Sequence, residues 1–366
     1  MRWRLGVIGA AVVLAVVPLP ADWVESVYSN GAYPMLQSVL TSWSNTSTVA
    51  WFDLFLAAVG IAWVALAWRD LRRRRWPLAL GRVVLRTVTF ASTLSLLFVA
   101  TWGLNYQRVP LEEKLEIDYR AATPDATEAL ARTAVRELNR LHPLPRPDMP
   151  SWPALPEPAL AQAFGAAQRE LGSTTVLVPA RPKWTVLDAY FRAASVDGMT
   201  DPFFLETLTL SRLFPMERPM VIAHEWAHLA GYADEGEASF VGWLACTNGD
   251  AAAQYSAWLF LYSEAAVGLE APARQRVSAA LAAGPRADLT SIGDRIRSDV
   301  SPFVSAMGWG VYDQYLKANG VERGRQSYTD VVRLVLGTRL GARRSGAEPA
   351  GSSGVGVVTG ASSGSP

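Results

Sequence analysis

The stretch from Val221 to Gly231 reads VIAHEWAHLAG, and the interpretation of the whole chain starts from it. His224 and His228 lie four positions apart, so a helix places both imidazoles on one face, one turn above the other. Glu225 directly follows the first of them. Two imidazoles at this spacing can share a metal ion, and the neighbouring carboxylate can take a proton from water. The stretch therefore predicts a helix with a zinc site of the hydrolase type.

The alternative is a helix that carries two buried histidines without a metal. The chain has 3 His, and two of them have ligand spacing, which favours the metal. The third, His142, lies beside prolines and is expected to be exposed or to serve packing. Residues 219–223 give the helix an apolar start, and Gly231 predicts its C-terminal end.

The N-terminal third of the chain contains apolar runs at about 5–20, 49–68 and 83–104. The second and third are long enough to cross a hydrocarbon core of about 30 Å. The first is short and follows Arg2 and Arg4, so it is expected to be a retained span, with a cleaved signal peptide as the alternative. Three transmembrane helices are thus predicted in a membrane region, 1–104.

The arginine distribution predicts the orientation of these spans. The connection 69–82 holds six Arg, whereas the connection 21–48 has no Lys or Arg. By the positive-inside rule the N-terminus and the basic connection are cytoplasmic, and the chain from Asn105 onward is periplasmic or extracellular. We therefore expect a multi-pass protein of the bacterial inner membrane. A nucleic-acid partner is not expected, because the net charge is only +1 and the basic cluster is explained by topology and lipid.

Composition supports a mixed architecture of membrane and water-soluble parts. The chain is 50% hydrophobic and 18% charged, with a mean hydropathy of +0.12, between a soluble enzyme and a multi-span transporter. The single cysteine, Cys246, excludes an internal disulfide framework and any multi-cysteine metal site.

The exterior part, 105–340, is long enough to bury its own core and is expected to be mainly helical with a small sheet, an α+β domain. Helices are predicted at 125–141, 157–171, 220–268, 303–318 and 327–340. Short β-like runs are predicted at 174–178, 184–187 and 205–210. The proline-rich segment 143–158 is expected to be a linker or surface loop, and the tail 341–366, rich in Gly, Ser and Ala, to be disordered.

Residues 105–340 resemble a bacterial membrane-anchored family known only as a domain of unknown function and grouped with the zincin, gluzincin-type metallopeptidases. The residues that carry the resemblance are Asn105, Tyr106, Arg108 and Pro110, the stretches 224–240 and 311–320, and Ser327, Tyr328, Val331 and Val332. This chain has Ser239 where family members usually have Asn, which bears on a hydrogen bond behind a ligand rather than on the metal. The resemblance implies a zincin-like fold and brings no substrate with it.

The third metal ligand is sought among Asp234, Glu235 and Glu237. Glu235 is preferred because it begins Glu-x-x-Ala-Ser, which resembles the gluzincin pattern. In that pattern the residue four positions after the ligand Glu lies on the same helix face and supports a ligand histidine. Asp234 and Glu237 have the spacing of a capping box, so both have a structural role available. Glu237 is the second choice and Asp234 the third. The predicted zinc ligands are therefore His224, His228 and Glu235, with Glu225 as the general base.

The resemblance also implies that an extended peptide lies along an edge strand, and 205–210 is a candidate for this strand or for an ordinary core strand. Trp102 and Tyr106 are expected to mark the membrane interface rather than a binding site. Candidates for the oxyanion stabiliser remain open, each of them more easily explained as structural: Tyr232, Tyr312, Tyr315, Arg295 and Arg297.

These observations predict a membrane-anchored zinc metallopeptidase that acts on a polypeptide substrate. The alternative is a catalytically silent zincin-like envelope protein, for binding or assembly, with a structural metal. A structural zinc site is usually closed by four protein ligands, whereas two His and one carboxylate leave a position open, which favours the enzyme. Intramembrane proteolysis is ranked last, because His224 lies more than a hundred residues beyond the third span.

Overall fold

The computed structural model describes residues 2–73, 76–115, 117–142, 158–318 and 330–346. The predicted proline-rich segment 143–158 lies almost entirely outside these residues, as do Arg74, Arg75, Ser327, Tyr328 and the tail beyond Gly346. Within them the chain is mostly helical with one small sheet, as the sequence predicted.

Helices account for the N-terminal part, including the connection 21–48 that the sequence pattern left unassigned. The elements are α1 (Arg2–Val16), α2 (Ala21–Trp23), a π-helix (Val24–Ala32), α3 (Tyr33–Ser44), α4 (Trp51–Arg73) and α5 (Trp76–Thr101). α4 and α5 contain segments that are long and apolar enough to cross a membrane, Trp51–Arg72 and Pro77–Thr101. α1 packs along α5, and the chain bends by 110° between α1 and the segment Ala21–Ser44. The spans number three if this bent pair is counted as one.

The body of the protein follows α5. Its helices are α6 (Leu111–Lys114), α7 (Pro124–Leu141), α8 (Pro158–Glu170), α9 (Asp188–Ala194), α10 (Arg218–Leu229), α11 (Glu235–Thr247), α12 (Ala251–Val267), α13 (Ala271–Ala279), α14 (Ala283–Asp299), α15 (Pro302–Ala318), α16 (Asp330–Gly337) and α17 (Arg339–Ser345). Two short 3₁₀ turns occur at Gly103–Gln107 and Tyr119–Ala121. The predicted helices 125–141, 157–171, 220–268 and 303–318 are confirmed within a few residues, the third as α10, α11 and α12. The tail prediction is wrong for residues 341–345, which belong to the helix α17.

α11 is the centre of the body, because every residue from Glu235 to Cys246 is buried. It packs against α10 on one side and against α8, α12 and α16 on others. A helix that is apolar on all faces is expected at such a position. Trp226 of α10 and Trp243 of α11 are among the largest fully buried side chains of this core.

The sheet is small and has the order β1-β3-β2, with β1 (Pro182–Lys183), β2 (Gly198–Asp201) and β3 (Glu206–Thr209). β3 pairs in parallel with β1 and antiparallel with β2. The candidate strand 205–210 is therefore a central strand, and of the two alternatives left open by the sequence the ordinary core strand is confirmed. Among the described residues β2 pairs only with β3, and β2 is the strand that packs most closely on α10. The β-like runs 174–178 and 184–187 form no strand.

Side chains of α3 attach the N-terminal part to the body. The hydroxyl of Tyr33 donates to the carbonyl of Leu229 at 2.8 Å, and Thr41 donates to the carbonyl of Leu205 at 2.9 Å. Ser44 donates to the carboxylate of Glu206 at 2.9 Å. The connection 21–48 and the body therefore lie at the same end of α4 and α5.

A buried ion pair joins the sheet to the start of α4. The side chains of Lys183 and Glu206 are both fully buried and form a salt bridge. The other carboxylate oxygen of Glu206 accepts from the backbone N–H of Phe52 at 2.9 Å, in the first turn of α4. Asp53, the ionisable residue within the second apolar run, accepts from the hydroxyl of Thr185 and the N–H of Val186. These contacts satisfy polar groups at the start of α4 that a helix cannot satisfy itself.

Candidate metal centre

The HExxH stretch forms α10, and Pro219 stands in its first turn, where a missing N–H costs no hydrogen bond. The helix ends as the sequence predicted: Ala230 is the C-cap, and Gly231 adopts a positive φ of 85°. That conformation is readily accessible only to glycine, so Gly231 ends the helix and turns the chain toward α11.

α11 approaches α10 closely because Gly242 has no side chain. A Cβ atom at Gly242 would lie 2.9 Å from the backbone nitrogen of His224. The short distance between the helices brings Glu235, in the first turn of α11, beside the two histidines of α10.

Three of the predicted site residues come together. The Nε2 atoms of His224 and His228 are 3.1 Å apart, and Oε2 of Glu235 lies 3.2 Å from the first and 3.3 Å from the second. These three groups could hold a metal ion, each offering one ligand atom. The structure places Asp234 and Glu237, the other candidates for third ligand, outside this group.

Asp234 and Glu237 have structural partners instead. Asp234 is the N-cap of α11, and its carboxylate accepts from the N–H groups of Gly236 and Glu237. The Glu237 carboxyl accepts from the N–H of Leu111, and burial raises its pKa to about 8. The predicted capping role is therefore present for Asp234, whereas the Glu237 side chain bonds a different segment.

Hydrogen bonds behind the histidines set the orientation of both rings. Nδ1 of His228 lies 2.8 Å from the carbonyl oxygen of Tyr232. A carbonyl oxygen can only accept, so this nitrogen carries the hydrogen and Nε2 offers its lone pair to the site. Oγ of Ser239 lies 3.2 Å from Nδ1 of His224, so the supporting contact predicted for the fourth residue after Glu235 is present even though Ser replaces the usual Asn.

The charges of the cluster depend on one another. Burial alone would raise the pKa of Glu235, but the two imidazoles hold it well below its usual range. Burial lowers the pKa of His228, while the Glu235 carboxylate raises it by more, to about 9. Without a cation, a proton on the imidazoles therefore compensates the charge of the carboxylate. A metal ion that takes this position has to displace that proton.

Glu225 lies on the β2 side of the same cavity. Its carboxylate accepts from the hydroxyl of Thr200 at 2.9 Å, and burial raises its pKa above the ordinary value. β2 passes so close that a Cβ atom at Gly198 would lie 2.6 Å from Glu225 Oε1. Neither Thr200 nor Gly198 was identified from the sequence, because β2 has no pattern that distinguishes it from a loop.

The cavity has a volume of about 410 Å³ and is lined mainly by apolar side chains, with His224, His228, Glu225 and Glu235 at one end. Trp102 and Tyr106, which the sequence analysis expects at the membrane interface, line this cavity. The indole of Trp102 donates to the carbonyl of His228 at 2.9 Å. No local pattern indicated this contact, because it joins residues 126 positions apart.

The oxyanion candidates lie elsewhere where they are described. Tyr232 contacts the guanidinium of Arg108, Arg295 is paired with Glu217 and Asp197, and Arg297 is paired with Asp294. The side chains of Tyr312 and Tyr315 lie outside the described residues. Tyr106 and Tyr190 are the tyrosines whose side chains line the cavity in the described part of the chain.

A family model described as "Protein of unknown function (DUF3810)" matches residues 28–336. The chain belongs to this family. The DUF3810 match covers α3, both long apolar helices, the sheet and the helices of the candidate metal centre. Its description assigns no activity, and nothing in it links DUF3810 to the zincins. Comparison with curated proteins and with solved structures gives no match.

Proposed function

We propose that this protein is a membrane-anchored, zinc-dependent metallopeptidase with a zincin-like site. The observation that carries the proposal is the triangle of His224 Nε2, His228 Nε2 and Glu235 Oε2, with edges of 3.1, 3.2 and 3.3 Å. Donor atoms at the corners of a tetrahedron with zinc bonds of about 2.0–2.1 Å lie about 3.3–3.4 Å apart. The donor set therefore fits zinc, and three protein ligands leave a fourth position open, as catalytic sites do.

The arrangement of lone pairs supports the same conclusion. With Nδ1 of His228 donating to the carbonyl of Tyr232, its Nε2 lone pair faces the second imidazole and a carboxylate. The Nε2 lone pair of His228 and the Glu235 carboxylate, 3.3 Å apart, repel each other unless a proton or a cation lies between them. When bound, zinc supplies a Lewis acid for the carbonyl and lowers the pKa of water toward about 7.

Residues of the chain would perform the proton transfers. Glu225 takes a proton from the attacking water, whose oxygen bonds to the peptide carbon. The C–N bond then breaks, and Glu225 returns the proton to the leaving amine. The raised pKa of its buried carboxyl suits both roles. The hydroxyl of Thr200 fixes the carboxylate. The side of β2 opposite β3, which pairs with no strand among the described residues, offers backbone groups to an extended peptide.

The proposed location is the bacterial inner membrane, with the catalytic body periplasmic or extracellular. α4 and α5 form a hairpin, whose connection holds the arginine cluster, and the body contacts the opposite end of the hairpin. An arginine-rich connection stays in the cytoplasm, so the body is on the other side of the membrane. This argument does not depend on whether α1 is a span.

The test is Glu225→Gln in the full-length chain, purified in detergent. Zinc should remain bound at near-unit stoichiometry, because Glu225 is not one of the proposed ligands, while peptide hydrolysis falls by a factor on the order of 10² or more. Equal hydrolysis by both forms would refute the enzyme. Zinc at unit stoichiometry without hydrolysis in either form would favour the catalytically silent envelope protein with a structural metal.

A further inference from the structure

The cavity beside the proposed metal centre is built partly from the membrane helices. Phe52 lies in the first turn of α4, Phe98 in the last turn of α5, and Trp102 directly after α5, and all three line the cavity. The Trp102 and His228 rings are 6.3 Å apart between centroids. Only one side chain thus separates the end of α5 from a proposed zinc ligand.

An aromatic cluster forms the wall between the sheet and α4. Phe203, in the turn between β2 and β3, lies 6.2 Å from the ring of Phe52 and 4.9 Å from the ring of Phe55. Phe204 lies 5.7 Å from the ring of Phe55. Phe203 also lines the cavity, so the turn between β2 and β3 joins the cavity wall to the start of α4.

The lengths of α4 and α5 give the level of this cavity relative to the bilayer. Their 23 and 26 residues correspond to about 35 and 39 Å, which is about 5 and 9 Å more than a hydrocarbon core of about 30 Å. The first turn of α4 and the last turn of α5 therefore lie at the edge of the hydrocarbon core. Trp51 and Trp102 stand at these two ends, where tryptophan is enriched.

Two helices that border the cavity, α9 and α15, expose large apolar side chains. Tyr190 lines the cavity and is 47% exposed, and Phe303 and Met307 of α15, which packs on α9, are 73% and 58% exposed. Val186, whose N–H binds Asp53 in the first turn of α4, is also exposed. An exposed apolar surface beside membrane helices is expected to face lipid rather than water.

We propose that the substrate is a polypeptide held in the same membrane, cut within a few residues of its own span, next to a large apolar side chain that enters this cavity. The inference rests on the proposed function and adds the class of substrate. The site lies at the level of Trp102, close to the membrane surface. A polypeptide that spans the bilayer therefore passes the site directly where its chain emerges. The aromatic walls from Phe52, Phe98 and Phe203 accept an apolar side chain and offer no counter-charge to an ionised one.

The experiment uses a reporter with one transmembrane helix, reconstituted with the full chain in phosphatidylcholine–phosphatidylglycerol vesicles. The exterior part of the reporter repeats one segment of about ten residues, so that each copy offers the same Phe-Leu bond about 35 Å further from the bilayer when extended. Mass spectrometry locates the cuts. We expect cutting in the copy next to the span at least about tenfold more often than in the most distant copy, and dependence of all cutting on Glu225.

Two variants with matched controls test the cavity itself. Tyr190→Glu places a charge at the cavity wall and should reduce cutting of the nearest copy by about tenfold, with zinc content unchanged. Val267→Glu adds the same charge at a 71%-exposed apolar position at the end of α12, outside the cavity lining, and should change nothing.

The outcomes separate this inference from the proposed function. Glu225-dependent cutting that is equally frequent in all copies would overturn the membrane-held substrate and leave the proposed peptidase. The same conclusion would follow if the repeats without the transmembrane helix, called the released repeats, were cut as fast as the anchored reporter. Loss of zinc in Tyr190→Glu, or an equal effect of Val267→Glu, would overturn the role of the cavity. No Glu225-dependent cutting of either the anchored or the released repeats would overturn both.

Discussion

Replacing Gly242 by Ala tests whether the separation of α10 and α11 sets the geometry of the metal site. The added Cβ would lie 2.9 Å from the nitrogen and 3.1 Å from the Cα atom of His224. Both are backbone atoms, so no side chain can rotate away. Ordinary contacts of this kind need about 3.5 Å, and the helices have to separate by roughly 0.5 Å or more.

The consequence reaches the metal site because Glu235 belongs to the helix that moves. Its Oε2 atom now lies 3.2 and 3.3 Å from the two Nε2 atoms. A displacement of roughly 0.5 Å brings these distances toward about 3.8 Å, beyond the spacing that zinc bonds of about 2.0–2.1 Å require. We expect zinc affinity to fall about 10- to 100-fold and the metal-free protein to lose about 1–3 kcal/mol of stability from overpacking.

The measurement is competition for zinc between the detergent-purified chain and a chromogenic chelator, together with thermal unfolding of the metal-free form. Gly310→Ala is the matched control, because Gly310 is also helical and a Cβ there meets nothing within 4 Å. It should retain zinc affinity and unfold at the same or a slightly higher temperature. Unchanged zinc affinity in a folded Gly242→Ala protein would refute the argument that helix separation positions Glu235.

Two further predictions concern buried charges. Glu235→Ala should abolish tight zinc binding. Glu237→Ala should retain zinc and lose about 1–3 kcal/mol of stability, because the N–H of Leu111 then loses its acceptor. Zinc titrations that give the reverse order would show that the wrong carboxylate was assigned to the metal. Lys183→Met should destabilise the protein by about 3–5 kcal/mol, because Glu206 stays charged and loses its ion-pair partner. The double variant Lys183→Met with Glu206→Gln should recover part of this loss. Equal unfolding temperatures of the single and the double variant would contradict this account.

Much of the helical fold could be predicted from the sequence because its signals are local. The periodic helices α7 and α10, the apolar runs of α4 and α5, and the stop at Gly231 follow from patterns within a few turns of chain. α3 was missed for a physical reason. Its inward face carries Gln37, Thr41 and Ser44, which bind polar groups of the body, so the buried side of this helix has no apolar stripe.

The candidate site was predictable only where its members are neighbours in sequence. His224, Glu225 and His228 share one helix, and the pattern Glu-x-x-Ala-Ser relates Glu235 to Ser239 within another. Gly242 and Thr200 act across elements that no local pattern relates. The sequence left 205–210 open between an edge strand and a core strand, because alternation reports a strand but not its neighbours. Whether a strand is central or at an edge depends on β1 and β2, and these are too short to show alternation.

Carbonyl groups at the C-terminal end of α10 accept hydrogen bonds from the N-terminal part of the chain. The carbonyls at the end of α10 have no partners within the helix, as at every helix end. Tyr33 of α3 donates to Leu229, Trp102 donates to His228, and Arg108 donates to Gly231. If residues 1–104 were removed, the first two of these donors would be lost. The carbonyl of Leu229 would lose the hydroxyl of Tyr33, at a cost of about 1–3 kcal/mol, whereas the carbonyl of His228 would keep the N–H of Gly231 at 2.9 Å. One of these carbonyls belongs to a proposed zinc ligand, so residues 1–104 help to build the candidate metal centre.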